Sequence, residues 1–204
     1  CREFYMKDAY SFDLDEKGAV ESYNKMFFAY LKTFKRLGLK AIPMAADTGP
    51  IGGDASHEFV ILADTGESKI YSDKRIFDID VESYNFSDDS IKKMRLDFGK
   101  YYAVTDDKFN KKEFNENVKK NDQIETRGIE VGHIFYFGDK YSKPLKGVVN
   151  NQEGSSVAVK MGSYGIGVSR LVGAIIEAQY NNNVMVSPKS IAPFAVAVIP
   201  NIKK

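Results

Sequence analysis

The stretch at residues 160–178, KMGSYGIGVSRLVGAIIEA, constrains the fold more than any other part of the chain. Gly162, Gly165 and Gly167 interrupt an apolar run there, and Arg170 follows in a segment typical of a buried helix. Glycines lack a Cβ, so a nucleotide can lie flat on their backbone. An arginine in the first turn of the next helix is a bidentate donor for phosphate. Tight helix–sheet packing explains the same pattern, and spacing alone leaves both interpretations open.

Other motifs of nucleotide and catalytic sites are missing from the sequence. The glycine spacing is wrong for a GxGxxG fingerprint, and no Gly-Lys-Ser/Thr of a P-loop occurs. There is no G-x-S-x-G elbow for a serine nucleophile. His57 and His133 are the chain's two histidines, and no third ligand has an obvious spacing to them, so we do not expect a zinc site.

Composition sets broad limits on the class of protein. The 204 residues are 43% hydrophobic and 28% charged, which is ordinary for one large globular domain or two small ones. The net charge of +1 gives no bulk attraction for nucleic acid, although a local patch can still bind tRNA. The single cysteine, Cys1, excludes an internal disulfide framework and favours a cytoplasmic protein. No apolar run approaches the roughly 20 residues of a membrane helix, so we expect no membrane association.

The pattern of apolar residues predicts an α+β fold with an antiparallel sheet flanked by helices. A helix is predicted from the Asp13/Asp15 cap to a stop at Gly38, and another over residues 166–180. Strands are predicted in KAIPMAAD, HEFVILAD, GIEVGHIFYFG, SSVAVKMGSYGIG and the final FAVAVIP. Residues 66–126 are rich in Lys, Asp and Asn, which predicts short, solvated helices around Phe86, Met94, Leu96, Phe98 and Phe109.

The segment REFYMKDAYSF near the amino terminus is predicted to be a strand. Its spacing places Phe4, Met6 and Asp8 on one face, where an aromatic ring offers adenine a stacking surface. By itself this spacing is more often that of a core phenylalanine.

Five segments together resemble the class II aminoacyl-tRNA synthetases, in their bacterial-type prolyl branch. REFYMKDAYSF is similar to the second half of motif 2, and ADTGPIGGDASHEF to the segment after it. TRGIEVGHIFYFGDKYS and MGSYGIGVSRLVGAIIEA resemble the strand before motif 3 and motif 3 itself. IAPFAVAVIP resembles the entry to the anticodon-binding domain. The resemblance covers about two thirds of the chain in the family's order, and residues 66–126 lack it.

The resemblance implies a division of the chain and a site for ATP. Residues 1–65 and 127–190 would form the catalytic core, residues 66–126 a shortened, charged insertion, and residues 191–204 the start of the anticodon-binding domain. Arg170 would be catalytic and hold the γ-phosphate. The ATP-binding residues implied are Arg2, Phe4, Asp8, Gly165, Gly167 and Arg170. Phe4 would stack on adenine, Asp8 would support the motif 2 strand, and the two glycines would floor the adenosine site.

The resemblance also implies a proline pocket, for which we predict His57, Ser163 and Gly162. We expect Glu58 to point away, because alternate side chains of a strand diverge. Family members often have cysteine in place of Ser163. Glu130 is the candidate ligand for Mg²⁺ bound with ATP. The implied reaction forms prolyl-adenylate and transfers proline to its tRNA, and the full-length enzyme is expected to be a homodimer.

The family pattern also places motif 1, the proline-binding Thr-x-Glu loop and the first motif 2 arginine before Cys1. We therefore expect the chain to be a central piece of a longer enzyme, inactive by itself. The alternatives are a catalytically silent paralogue that acts as a binding or regulatory module, a threonyl or seryl enzyme, and a packing domain with coincidental glycines. About 60 residues between motifs 2 and 3 are too few for a hydrolytic editing domain, so we expect no removal of mischarged alanine.

Overall fold

The computed structural model describes residues 3–47 and 55–200. The strands and helices follow one another along the chain as β1 (Met6–Asp13), α1 (Glu16–Arg36), β2 (Ile42–Ala45), β3 (Ala55–Leu62), β4 (Ser68–Asp73), α2 (Asp88–Gly99), β5 (Ala103–Thr105), α3 (Lys111–Asn117), β6 (Gln123–Gly138), β7 (Val148–Asn150), β8 (Ser156–Ala158), β9 (Lys160–Gly167), α4 (Val168–Gln179), β10 (Tyr180–Asn181) and β11 (Val184–Met185).

A seven-stranded sheet organises the described residues, with strand order β1-β9-β6-β3-β2-β5-β4 and an additional pairing of β6 with β4. Its neighbours are antiparallel except β2 and β5. β7–β8 and β10–β11 form two separate hairpins. The predicted α+β class with an antiparallel sheet is confirmed.

Helix α1 begins and ends where the sequence predicts. The Asp15 side chain accepts a hydrogen bond of 2.8 Å from the Gly18 amide, which caps the first turn. Gly38 adopts a positive φ of 74°, and the Leu39 amide bonds back to the Phe34 carbonyl at 2.9 Å. Between these ends, α1 places one face against the sheet, where it buries Ala19, Tyr23, Phe27, Phe28, Tyr30, Leu31 and Phe34.

The sheet therefore has two different faces. The helix face carries α1 and a continuous apolar core that includes Phe59, Ile134 and Tyr164. Residues from α4, among them Ala174, join the same core. On the opposite side, which we call the open face, Met6 and Tyr10 of β1 are about half exposed, at 44% and 56%.

The region between residues 66 and 126 contributes more to the sheet than the sequence indicated. Besides the short helices α2 and α3, it supplies β4 and β5, which lie at one end of the main sheet. The strand-forming residues Ile70 and Tyr71 were hidden among charged neighbours, and they are buried. α2 is amphipathic rather than fully solvated, since Met94 and Phe98 are buried while Leu96 is exposed.

Three further predictions need correction. The predicted strand SSVAVKMGSYGIG is two strands, β8 and β9, that belong to different sheets. The predicted strand FAVAVIP is irregular, because no neighbouring strand among the described residues pairs with it. Phe4 precedes β1 rather than lying on it. Among the described helices, none is both long enough and apolar enough to span a membrane.

Candidate active site

A row of residues crosses four strands of the open face. The register pairs Asp8 of β1 with Gly165 of β9, Gly165 with His133 of β6, and His133 with Glu58 of β3. Directly opposed residues in antiparallel strands project to the same side of a sheet. The fold thus brings an acid, a glycine, an imidazole and a second acid into one line from four distant parts of the sequence.

The two glycines of β9 form a low floor beside this row. A Cβ added at Gly165 would lie 3.1 Å from Met6 Cε and 3.6 Å from Asp8 Oδ1. A Cβ added at Gly167 would lie 3.3 Å from Arg170 Cβ. Any side chain at these positions would rise into the space above the sheet, so the backbone there is open to a flat ligand.

Arg170 lies in the first turn of α4 and reaches the side of this floor. Its Nη1 donates to the Glu130 backbone carbonyl at 3.1 Å and lies 3.6 Å from Glu130 Oε2. The side chain is 54% exposed, so most of its donors face solvent. A guanidinium held at Nη1 by a single residue, with its other N–H groups directed to solvent, is suited to bind an anionic group.

His133 links the two acids at the centre of the open face. Its Nδ1 lies 3.3 Å from Glu130 Oε1 and 3.9 Å from Glu58 Oε1, while Nε2 is 2.6 Å from Ser56 Oγ. Burial, and then the charge of Glu130, raises the pKa of Glu58 to about 7. Near neutral pH, Glu58 is therefore poised to ionise when a cationic group approaches.

The Glu58, Glu130 and His133 side chains offer ligand atoms within 4.8 Å of one another. This is compact enough for one cation, and carboxylates are the protein ligands that Mg²⁺ prefers. One carboxylate oxygen of Glu130 lies near His133 Nδ1, and the other lies 3.6 Å from Arg170 Nη1. The imidazole is a less typical ligand for Mg²⁺.

A cleft of about 740 Å³ is lined by Glu130, His133, Gly165, Gly167 and Arg170. Its walls come from the chain before β1, from β6, from the loop near Glu67, and from β9 with the start of α4. Phe4 lies at the cleft and is 55% exposed, as a stacking surface requires. The structure thus brings together five of the predicted site residues: Phe4, Gly165, Gly167, Arg170 and Glu130.

The predicted proline-binding residues do not lie together. Ser163 pairs with Phe135, and the parity of β9 places it on the open face with Gly165. His57 pairs with Ile134, which pairs with Tyr164, so His57 lies on the helix face. Gly162 is also on the helix face, where an added Cβ would meet the Tyr164 hydroxyl. The prediction that all three residues line one pocket is therefore wrong, because successive residues of a strand face opposite sides of the sheet.

The His57 side chain packs between β3 and α1 and is not exposed in the cleft. Its Nδ1 is 2.6 Å from the Tyr23 hydroxyl, and its ring meets the edge of Phe27 at a centroid distance of 5.2 Å. Burial, with added repulsion from Arg95, lowers the pKa of His57 to about 3. It is a neutral core histidine.

Two residues of the open face were not predicted to belong to the site. Glu58 was expected to point away and His133 was given no role, yet both lie in the central row. The signal that finds them is strand register, which places Glu58 opposite His133 and His133 opposite Gly165. Arg2 and most of the glycine loop after Asp47 lie outside the described residues.

A family model matches most of the chain and shows the family to which it belongs. Residues 1–179 match the family model of the tRNA synthetase class II core domain (G, H, P, S and T). The predicted resemblance to class II synthetases is confirmed.

Curated relatives narrow the comparison within that family. The chain is 62% identical to proline--tRNA ligase of Pelagibacter ubique, and the alignment covers 100% of this chain and 46% of that protein. It is 54% identical to proline--tRNA ligase of Bartonella quintana, covering 100% of this chain and 47% of that protein. The chain thus spans about half the length of these relatives.

Solved structures share the fold at low sequence identity. Prolyl-tRNA synthetase of Giardia lamblia in complex with prolyl-adenylate matches with a TM-score of 0.58 at 13% identity, over 92% of this chain and 26% of that one. Prolyl-tRNA synthetase of Cryptosporidium parvum complexed with L-proline and AMP matches with a TM-score of 0.55 at 14% identity, over 94% of this chain and 28% of that one.

Proposed function

We propose that this chain is the central part of a prolyl-tRNA synthetase, which activates proline with ATP and transfers it to its tRNA. The observation that most supports this function is the row Asp8–Gly165–His133–Glu58 on the open face, with Arg170 at its side. The cleft beside this row combines a flat glycine floor with the largely exposed Arg170 guanidinium and with Glu130 and His133. High identity to proline--tRNA ligases over the whole chain supports proline as the amino acid.

In the proposed first step, a proline carboxylate oxygen attacks the α-phosphorus of ATP. The new bond joins carboxylate to phosphorus, the bond from the α-phosphorus to the bridging oxygen breaks, and pyrophosphate leaves. No proton is transferred, so the residues act by positioning and by neutralising charge. Arg170 binds a terminal phosphate oxygen, and adenosine lies over Gly165 and Gly167 with its base against Phe4. Mg²⁺, when bound at Glu130, supplies further positive charge to the phosphates.

Proline itself is assigned to the central part of the open face. Its secondary ammonium group needs acceptors, and Glu58 and His133 lie within reach of each other there. Ser163 lies on the same face, two residues from Gly165. Because a neighbouring cation favours ionisation, bound proline would lower the pKa of Glu58 and form a charge-assisted hydrogen bond with it.

The test uses the full-length protein that contains this chain. Exchange of labelled pyrophosphate into ATP is measured with proline, threonine, serine and alanine in turn, and aminoacylation is then measured with proline-specific tRNA. We expect exchange that depends on proline and charging of that tRNA. Exchange dependent on threonine or serine would change the assigned substrate, and no exchange with any amino acid would support a catalytically silent paralogue.

A further inference from the structure

A second cleft lies on the helix face, away from the candidate active site. We call it the rear cavity; it has a volume of about 490 Å³. Its walls come from α1, α2, α3, β2, β3 and β5. It therefore lies where the region at residues 66–126 meets the rest of the fold. His57 lines it, whereas the next residue, Glu58, faces the opposite side of the sheet.

Arg95 of α2 contributes a positive charge to the rear cavity. Its guanidinium carbon lies 4.1 Å from the centroid of the Phe27 ring. Within residues 3–47 and 55–200, no side chain or carbonyl forms a hydrogen bond or ion pair with it. Burial lowers the pKa of Arg95, which reflects the cost of holding this charge away from water. Buried charges in proteins are usually paired.

The other polar groups of the rear cavity do not neutralise Arg95. Lys100 is itself cationic and pairs with Asp97 at 2.6 Å. Glu113 lies on exposed α3 at the mouth and makes no ion pair with Arg95. His57 is neutral; when its Nδ1 accepts a hydrogen bond from the Tyr23 hydroxyl, its Nε2–H is a further donor.

We propose that the rear cavity binds a small organic anion, a carboxylate or phosphate on an apolar or aromatic body, with Arg95 as the residue that holds its charge. The volume lies in the range of ordinary ligand pockets, about 300–1,000 Å³. Phe27, Phe98 and Tyr101 supply apolar walls for the body of such a ligand. The planar guanidinium supplies paired donors for its charged end.

The probe is sodium benzoate, a carboxylate on an aromatic ring, with sodium chloride at equal ionic strength as the reference. Melting temperatures of the full-length protein are measured for wild type, Arg95→Met, and the exposed-site control Arg36→Met. We expect benzoate to raise the wild-type and Arg36→Met values saturably by at least about 2 °C, and to leave Arg95→Met unchanged. Without benzoate, Arg95→Met should melt close to the wild-type temperature, because loss of the contact with Phe27 and removal of a partly buried charge without an anionic partner act in opposite directions.

Two further measurements separate this proposal from its alternatives. Arg170→Lys should keep the full benzoate response, which distinguishes the rear cavity from the candidate active site whether or not the proposed function holds. Should Arg95→Met fail to fold, calorimetric titration of wild type and Arg95→Lys replaces it, with at least tenfold weaker benzoate binding expected for Arg95→Lys.

Three results would overturn the proposal. The first is a wild-type protein that responds equally to benzoate and chloride. The second is an Arg95 variant whose benzoate binding matches that of wild type. The third is a folded Arg95→Met protein that melts several degrees below wild type in the absence of benzoate. That result would show that a carboxylate of the longer protein already pairs with Arg95.

Discussion

His57 and Glu58 are consecutive residues of β3, and the structure places them on opposite faces of the sheet. Burial acts on both in the direction that disfavours charge: it lowers the pKa of His57 to about 3 and raises the pKa of Glu58 to about 7. His57 consequently serves the core as a neutral ring. Glu58 lies on the open face beside His133, where a neighbouring cation would favour its ionised form.

The pKa of Glu58 predicts a pH dependence of stability. Its usual value is 4.5 and the folded value is about 7, so between these values the folded state holds the proton that the unfolded state has lost. The free energy of unfolding from this group therefore falls as pH rises through that window. Glu58→Gln removes the effect. The free energy of unfolding of Glu58→Gln minus that of wild type should therefore increase by on the order of 1–3 kcal/mol between pH 4.5 and pH 7.

Urea unfolding of the full-length protein at several pH values measures this difference. Glu153→Gln, in an exposed turn, is the matched control and should follow wild type throughout. A Glu58→Gln difference that stays constant with pH would mean that Glu58 is not held protonated.

Replacement of His57 should affect folding rather than substrate binding. His57→Ala removes the contact with the Tyr23 hydroxyl and the edge contact with Phe27, so we expect a loss of about 1–3 kcal/mol in stability. The KM values for proline and ATP in pyrophosphate exchange should change by similar, small factors. A rise in the proline KM alone would return His57 to the proline pocket, as the sequence had suggested.

The sequence was most informative where one segment carries its own signal. The cap at Asp15, the stop at Gly38 and the apolar stripe between them define α1 without reference to other elements. Gly165, Gly167 and Arg170 likewise lie within six consecutive residues, and their joint position beside one cleft follows from the strand–helix turn. Local chemistry was sufficient for both.

Features that depend on distant pairing were not predictable in the same way. The faces of His57, Gly162 and Ser163 follow from register against β6, which no local pattern gives. β4 and β5 escaped notice because their partners are distant in sequence and their neighbours are charged. At FAVAVIP the error was the opposite one: a strand was predicted where the structure has none. A strand-like composition does not form a strand without a partner.

Glycine substitutions separate the two faces of β9. Gly165→Ala places a methyl near the mobile end of Met6, so folding should tolerate it, while the KM for ATP should rise several-fold. Gly162→Ala places a methyl in conflict with the Tyr164 hydroxyl and Ser11 Oγ, so it should lower the melting temperature by several degrees. Exchange kinetics and thermal melting of both variants provide the comparison. Equal effects of the two on ATP binding would contradict the assignment of faces.

The structure of residues 66–126 is relevant to the expectation that mischarged alanine is not removed. Residues 66–126 form short helices and two strands of the main sheet rather than a separate large domain. We predict that the full-length protein releases alanine from mischarged proline tRNA no faster than a protein-free blank. Deleting residues 70–122 is a poor control, because it removes β4 and β5 from the sheet, so the wild-type rate decides. Release well above the spontaneous rate would contradict the prediction.

The central claim is that Arg170 binds phosphate at the open face during proline activation. Proline-dependent pyrophosphate exchange by the full-length protein, compared between wild type, Arg170→Lys and the exposed control Arg36→Lys, tests it most directly. A point charge does not replace a planar, bidentate fork, so Arg170→Lys should lose on the order of 10²-fold or more in rate while Arg36→Lys keeps the wild-type rate. Exchange by Arg170→Lys within about threefold of wild type would contradict the account.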